Sequence, residues 1–184
     1  MKTPHYTKIH NRFKLNGYNF SADELKEIGY DYIKEGVPYE RALGLFIMDW
    51  MDKKDYVNVK TSGSTGDPKM IQISKQAMVS SAIRTGDFFN VQIGDTALHC
   101  LPADFIAGKM MLVRAMILGL SLDLVQPTSN PMKDLYKPYD FVAMTPMQAH
   151  NSLDKLNQIK TMIIGGAPIF PKLLKKLVSL HENC

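Results

Sequence analysis

The sequence has little of what marks several functional classes of protein. Its 184 residues include two cysteines, Cys100 and Cys184, whose positions fit neither a metal site nor a disulfide framework. Charged residues make up 22% of the chain, and the net charge of +4 is not gathered into blocks of one sign. Nucleic acid is therefore not indicated as a partner, and the cysteine usage favours a reducing cytoplasm.

Long apolar runs are also missing. The N-terminal stretch "MKTPHYTKIHNRFKLNG" has no apolar core of the kind found in signal peptides. The most hydrophobic stretch, residues 106–125, is interrupted by Lys109, Arg114 and Asp123. Each of these charges is costly at the centre of a bilayer. We therefore predict no membrane span, but a buried helix followed by a strand.

What the sequence does contain predicts an α/β fold, with a mostly parallel sheet flanked by helices. Residues 1–55 are predicted to form a helical lead-in, with two helices before any sheet. Ser21 and Glu24 form the capping box of the first helix, and Pro38 opens the second. From residue 56 onward, short apolar strands alternate with amphipathic helices. Among these segments, "PMQAHNSLDKL" is predicted to be a helix and "QPTSNPMKDLYKP" a long loop.

A polar stretch, "TSGSTGDPK" at residues 61–69, lies between the predicted strands "YVNV" and "MIQIS". It is not the common phosphate motif G-x-x-x-x-G-K-[ST], because Pro68 stands where the second glycine would be. Its glycines can still turn amide groups inward to form an anion nest, to which hydroxyls and a lysine add donors and charge. The residues of this predicted phosphate site are Thr61, Ser62, Gly63, Ser64, Thr65, Gly66 and Lys69. The residue types alone also allow a solvated hairpin turn.

The order of these residues resembles the signature loop of the adenylate-forming superfamily: acyl- and aryl-CoA synthetases, luciferases and peptide-synthetase adenylation domains. The resemblance implies that the loop holds the β- and γ-phosphates of ATP while a carboxylate attacks the α-phosphorus. A second stretch, "IKTMIIGGAPI", resembles the strand and turn that border the adenine pocket in the same superfamily. It implies that Gly165 and Gly166 let the backbone approach the base, beside a small apolar wall of Ala167 and Pro168. Both stretches follow predicted strands, which is where parallel α/β sheets bind ligands.

A third stretch, "LPADFIAGKMMLVRAMILG", most resembles the short o-succinylbenzoate–CoA ligases of menaquinone synthesis. Many superfamily members have an aromatic residue followed by histidine where this chain has Asp104 and Phe105. Arg114 is the candidate for holding the unreacting carboxylate of a dicarboxylate substrate; otherwise it reaches the surface or pairs with a structural acid. Lys109 is expected to be a solvated helix residue. His150 is expected to lie on a helix surface, with contact to an aromatic acid as the alternative. Asp104 either orients Lys109 or caps a helix.

The resemblance covers residues 57 to 184, and residues 1–184 together would form the front part of the large domain of an adenylating enzyme, without a C-terminal lid domain. The implied reaction joins o-succinylbenzoate to coenzyme A, using ATP with magnesium and releasing AMP and diphosphate. The catalytic residues and the magnesium ligand are expected beyond Cys184, so we expect no turnover by this chain alone. An uncovered sheet face would favour homo-oligomers.

Three alternatives stay open at the level of sequence. The chain can belong to another aryl- or fatty-acyl-CoA synthetase that takes a different carboxylic acid. It can be a non-catalytic nucleotide-binding or assembly module that another polypeptide completes. It can also be a plain α/β domain whose loop binds nothing.

Overall fold

The computed structural model describes residues 3–60 and 70–181. These residues form a five-stranded parallel sheet with helices on both faces, and a separate two-stranded hairpin. The strands are β1 (Lys14–Leu15), β2 (Tyr56–Lys60), β3 (Met70–Ser74), β4 (Thr96–His99), β5 (Ser121–Leu124), β6 (Tyr139–Met144) and β7 (Ile159–Ile164). The α-helices are α1 (Ala22–Lys34), α2 (Pro38–Met51), α3 (Lys75–Phe89), α4 (Ile106–Leu118), α5 (Pro146–Asn151) and α6 (Pro171–His181).

The main sheet has the order β1-β5-β4-β6-β7, and each neighbouring pair is parallel. Alternate residues of β6 point to opposite faces. Phe141 and Ala143 pack in the cluster that includes α1 to α4, whereas Val142 and Met144 pack in the cluster that includes residues of α5 and α6. A sheet buried on both faces explains why its strands are apolar without alternation. The predicted α/β class is confirmed.

The helices begin where the sequence predicts. At the start of α1, the Ser21 hydroxyl accepts a hydrogen bond from the Glu24 amide, and the Glu24 carboxylate accepts one from the Ser21 amide. Pro38 is the first residue of α2. The Ser74 hydroxyl caps α3 by accepting a bond from the Ala77 amide. Each cap satisfies an amide that has no partner within its own helix.

The lead-in differs from the expectation of two helices before any sheet. Lys14–Leu15 forms β1, which lies at the edge of the main sheet and pairs with β5. The Asn16 amide extends this contact by donating to the Leu122 carbonyl at 2.8 Å. A two-residue strand has no readable periodicity, so only the tertiary contact reveals it.

Helix α5 is shorter than predicted. It ends at Asn151, and a turn leads to a short 3-10 helix at Leu156–Gln158. The Asn151 side chain donates to the Ser129 carbonyl, and the Ser152 hydroxyl donates to the Asn130 side chain. Short polar side chains of this kind compete with helix continuation. Here they also hold the predicted long loop against the body of the protein.

The hairpin of β2 and β3 stands apart from the main sheet. The two strands are antiparallel. Tyr56 pairs with Ser74 at the base of the hairpin, and Lys60 pairs with Met70 at its other end. The base is fastened by Lys75, whose fully buried ammonium donates to the Asp52 carboxylate at 2.7 Å. The expectation that "YVNV" belongs to the same parallel sheet is therefore wrong. Within the described ranges, no helix has the length and apolarity needed to cross a membrane.

Candidate functional site

Three connections meet at the carboxyl edge of the main sheet: β4 to α4, β6 to α5, and the turn after β7. The Cys100 thiol donates to the Ala143 carbonyl at 3.3 Å, and the Gln148 side chain donates to the Cys100 carbonyl at 2.8 Å. The Gly165 amide donates to the Met144 carbonyl at 3.1 Å. These hydrogen bonds join the three connections into one rim, which is where parallel sheets bind ligands.

The hairpin reaches the same rim. Lys60, the last residue of β2, forms an isolated parallel bridge with Phe105 in the β4–α4 connection. The predicted phosphate site lies outside the described residues, and its members Thr61, Ser62, Gly63, Ser64, Thr65, Gly66 and Lys69 are therefore not located. The structure thus brings the residue that precedes this stretch to the edge that also carries Gly165.

The second predicted stretch is fully described, and we call Gly165–Pro168 the glycine turn. It follows β7 directly, and its four residues are exposed. A Cβ atom added to Gly165 or Gly166 would meet no heavy atom within 4 Å. The backbone of the turn therefore faces open space rather than a packed neighbour, which leaves room for a flat ligand to approach.

The first turn of α4 is fixed by a buried histidine. Nε2 of His99 lies 3.0 Å from the Gly108 carbonyl oxygen. Because a carbonyl only accepts, the proton is on Nε2. Burial lowers the pKa of His99 to about 4, so the ring is neutral at pH 7. Gly108 itself fits only without a side chain, since a Cβ would lie 2.2 Å from the Pro102 carbonyl oxygen.

Arg114 lies on α4, among side chains that are mostly buried. Its Nη1 is 3.7 Å from the Met111 sulfur, one turn nearer the carboxyl edge, in line with the N-terminal tilt of helical side chains. Its Nε atom is buried and has no hydrogen-bond partner in the part of the chain that is described. Burial lowers the pKa of Arg114, yet a guanidinium stays charged in proteins. No carboxylate of the described residues lies within ion-pair distance of it.

The expectation that Lys109 is solvated is wrong. Its side chain is 8% exposed, and its ammonium lies 4.7 Å from the centroid of the Phe46 ring. Burial lowers the pKa of Lys109, while the charges of Asp49 and Asp104 raise it. Helix α2 covers this side of α4, which the sequence of α4 alone does not show. The two roles expected of Asp104 stay predictions.

His150 is not a plain surface residue either. Its ring packs edge-to-face on Phe170, with centroids 5.3 Å apart and planes at 73°. Its Nδ1 atom is buried and has no hydrogen-bond partner among the residues described. Phe170 comes shortly after the glycine turn, so this contact links α5 to the candidate site. Sequence gave no signal for it beyond an aromatic residue close to the turn.

The described residues offer no ready metal site. No group of three or more histidine, cysteine, aspartate or glutamate side chains in the two described ranges is arranged to hold a metal ion. A magnesium ion that accompanies a triphosphate would be held through phosphate oxygens, and we assign it no protein ligand here.

The candidate site thus consists of a parallel-sheet rim with an open glycine turn and the end of a hairpin. The sequence pattern of the family described as "AMP-binding enzyme" matches residues 49–183. The chain belongs to the AMP-binding enzyme family. The match begins within α2 and includes the glycine turn.

The chain is similar to several known proteins of this family. A D-alanine–D-alanyl carrier protein ligase from Bacillus cereus (strain AH187) is 28% identical over 172 residues, which are 86% of this chain and 32% of the relative. The structure of an acyl-CoA synthetase (AMP-forming)/AMP-acid ligase II-like protein from Dyadobacter fermentans is 36% identical, with a TM-score of 0.68 over 76% of this chain and 42% of that one.

A further solved structure is similar in fold. It is the o-succinylbenzoate–coenzyme A synthetase (MenE) from Bacillus subtilis in complex with AMP, 24% identical, with a TM-score of 0.55 over 66% of this chain and 33% of that one. The chain therefore spans about a third of the length of the curated relatives that it matches.

Proposed function

We propose that this chain is the nucleotide-binding front part of an ATP-dependent acid–CoA ligase, and that its acid is o-succinylbenzoate. Residues 61–69 would hold the triphosphate, with Lys69 as the charged member, and Gly165, Gly166, Ala167 and Pro168 would border the adenine. Magnesium would neutralise phosphate charge, and coenzyme A would receive the acyl group. Positioning and charge stabilisation supply most of the catalysis in reactions of this type.

The observation that carries the choice of acid is Arg114. A half-buried guanidinium with no carboxylate partner among the described residues is costly in free energy unless a ligand supplies that partner. o-Succinylbenzoate has two carboxylates, of which only one is activated. The second can accept a forked hydrogen bond from the guanidinium. An acid with a single carboxylate would leave Arg114 without this partner.

Nucleotide binding is tested by calorimetry with ATP and magnesium on this chain. We expect the wild type to bind, and Lys69→Ala to weaken binding about 10-fold or more, because one charge-assisted contact is worth about 1.5–3 kcal/mol. Lys53→Ala, at an exposed lysine between α2 and β2, is the matched control and should bind as the wild type does. A wild-type chain that binds no nucleotide would favour the plain α/β domain.

The acid is tested with non-hydrolysable sulfamoyl analogues of two acyl-adenylates, one carrying o-succinylbenzoate and one carrying D-alanine. We expect the o-succinylbenzoyl analogue to bind more tightly than the D-alanyl analogue. We expect Arg114→Met to weaken binding of the o-succinylbenzoyl analogue about 10- to 100-fold. Arg84→Met, at an exposed arginine of α3, should change nothing. An unchanged affinity in Arg114→Met would contradict the assignment of the carboxylate to Arg114.

A D-alanine–carrier protein ligase is the second candidate, because that is what the curated relatives are named. Its acid carries an ammonium group and a single carboxylate. Tighter binding of the D-alanyl analogue, together with insensitivity to Arg114→Met, would favour this candidate. A wider panel of acyl analogues separates both from other aryl- or fatty-acyl-CoA synthetases.

A further inference from the structure

The glycine turn is anchored at its two ends. At one end the Gly165 amide donates to the Met144 carbonyl at 3.1 Å. At the other end the Phe170 carbonyl accepts from the amides of Leu173 and Leu174 at 3.0 and 3.2 Å, where α6 begins. Among the residues described, none forms a hydrogen bond to the backbone of 166–169. The path of the turn therefore depends on where Phe170 is held.

His150 supplies the side-chain contact that holds Phe170. The two rings meet edge-to-face, with their centroids 5.3 Å apart. Aromatic pairs prefer this arrangement. Phe170 remains 39% exposed, so it is only partly covered by other residues. The buried Nδ1 atom of His150 has no hydrogen-bond partner in the described part of the chain. The contact with the Phe170 ring is thus the interaction that the structure shows for the His150 imidazole.

The helix that carries His150 is a firm support. Thr145 and Gln148 form a capping box at the start of α5. The Gln148 side chain also donates to the carbonyls of Cys100 and Thr128, at 2.8 and 3.0 Å. These bonds tie α5 to the residue that follows β4 and to the loop that follows β5, so the position of His150 is fixed relative to the sheet.

We propose that His150 is a positioning residue, which holds the glycine turn through Phe170 in the path that accepts the adenine base. The proposal rests on the proposed function, because it requires that the glycine turn binds adenine. His150 is not a catalytic residue in this proposal, since it acts on Phe170 and not on the nucleotide. Losing the ring contact would let Phe170 and the second half of the turn move into the space beside Gly165.

The experiment compares two ligands that share phosphates but differ in the base. Calorimetry with ATP and with inorganic tripolyphosphate, each with magnesium, is carried out on the wild type, His150→Ala and His150→Phe. Because such ring pairs are worth about 0.5–1.5 kcal/mol, we expect His150→Ala to weaken ATP binding about 2- to 10-fold and to leave tripolyphosphate binding unchanged. His150→Phe keeps a ring at this position and should restore ATP binding. His5→Ala, at an exposed histidine of the lead-in, is the matched control.

The outcomes separate the two proposals. A wild-type chain that binds neither ligand, or binds both equally, overturns the adenine assignment and the role of His150 with it. A wild type that prefers ATP while His150→Ala keeps the same preference overturns only the role of His150. A variant that loses both ligands to the same extent, with a lowered unfolding midpoint, shows a general structural role and contradicts the positioning role.

Discussion

Gly165 and Gly166 are neighbours in one turn, but they limit substitution for different physical reasons. A side chain on Gly165 would enter open space, so the folded chain itself does not require a glycine there. Gly166 has a φ angle of +87°, where residues with a Cβ atom are strained. A requirement for glycine at position 165 would therefore come from a ligand, whereas at position 166 it comes from the backbone.

This difference gives a prediction at the residue scale. Gly165→Ala should leave the free energy of unfolding within about 0.5 kcal/mol of the wild type and weaken ATP binding about 10-fold or more, because the added methyl group occupies the space of the base. Gly166→Ala should lower the free energy of unfolding by about 1 kcal/mol. Denaturant unfolding followed by Trp50 fluorescence and calorimetry with ATP measure both quantities. Wild-type ATP affinity in Gly165→Ala would argue against a base at this turn.

The local structure around the candidate site was predictable from sequence to different degrees. The glycines of the turn stand in a local pattern of strand, two glycines and proline, and such patterns are read directly from the chain. Lys109 and His150 were misjudged, because their surroundings come from α2 and from Phe170. Burial by a distant segment leaves no mark on the sequence around the buried residue.

At the scale of elements, α1 and α2 pack with two glycines at their contact. A Cβ on Gly44 would lie 2.5 Å from the Gly29 carbonyl oxygen, which is backbone and cannot turn away. A Cβ on Gly86 of α3 would lie 2.8 Å from a methyl group of Leu118, at the end of a side chain that can rotate. Substituting alanine at the two sites therefore compares overpacking against a backbone atom, which cannot move aside, with overpacking against a side chain, which can.

Gly44→Ala should lower the free energy of unfolding by up to about 2 kcal/mol, because an overpacking cost of about 1–3 kcal/mol is offset by a gain in helix propensity of about 1 kcal/mol. Gly86→Ala, the matched control, should stay within about 1 kcal/mol of the wild type. Urea denaturation curves of both variants give the comparison. Equal stability of the two would show that α1 and α2 can separate to admit a methyl group.

The elements themselves followed from local chemistry wherever caps were present. The starts of α1 and α2 match the predicted serine and proline because each residue satisfies or replaces a free amide at its own helix. The end of α5 was missed because Asn151 and Ser152 bond to the loop that follows β5. The partners of a helix end can lie far along the chain, and sequence spacing does not identify them.

At the scale of the whole molecule, we expect His99 to make the free energy of unfolding depend on pH. Its folded pKa of about 4 lies below the ordinary histidine value of 6.5, so the unfolded chain binds more protons between these values. The free energy of unfolding therefore rises with pH through this window and falls as the solution is acidified. Asp52 and Asp140 also have lowered pKa values, but carboxyl groups with a reference pKa of 3.8 act at lower pH.

We expect the free energy of unfolding to fall by about 2 kcal/mol from pH 7 to pH 5 through His99. His99→Gln removes the titrating group while its amide can still donate to the Gly108 carbonyl, so the fall should largely disappear. His5→Gln, at an exposed histidine, should keep the wild-type slope. Denaturation at several pH values measures the effect, and an unchanged slope in His99→Gln would exclude His99 as its source.

We predict that the edge of the molecule beyond β7 takes part in self-association. Within the described residues β7 pairs with β6 alone. Beside it a groove of about 700 Å³ is lined by Met162, Ile164 and Leu177, among others. On α6 nearby, Leu174 is 52% exposed and Val178 is 48% exposed. Apolar surface that is contiguous with an open strand edge promotes contact between chains.

Light scattering should therefore show dimers or larger species of this chain at tens of micromolar concentration. Leu174→Glu should shift it towards the monomer, because a charge in that surface opposes apolar contact. Leu45→Glu, at an exposed leucine of α2, should not. A wild type that is monomeric throughout would show that this edge is adequately solvated.

The sequence by itself determined the class of the fold, the starts of most helices and the family, because these depend on periodicity, caps and short motifs within contiguous segments. Only the tertiary structure decided that β1 joins the sheet edge, that the hairpin stands apart and that Lys60 meets Phe105. It also decided that Arg114 lacks a carboxylate partner among the described residues, and that His150 meets Phe170. These facts depend on contacts between distant segments, and such contacts are selected by the packing of the whole chain rather than by any one stretch of it.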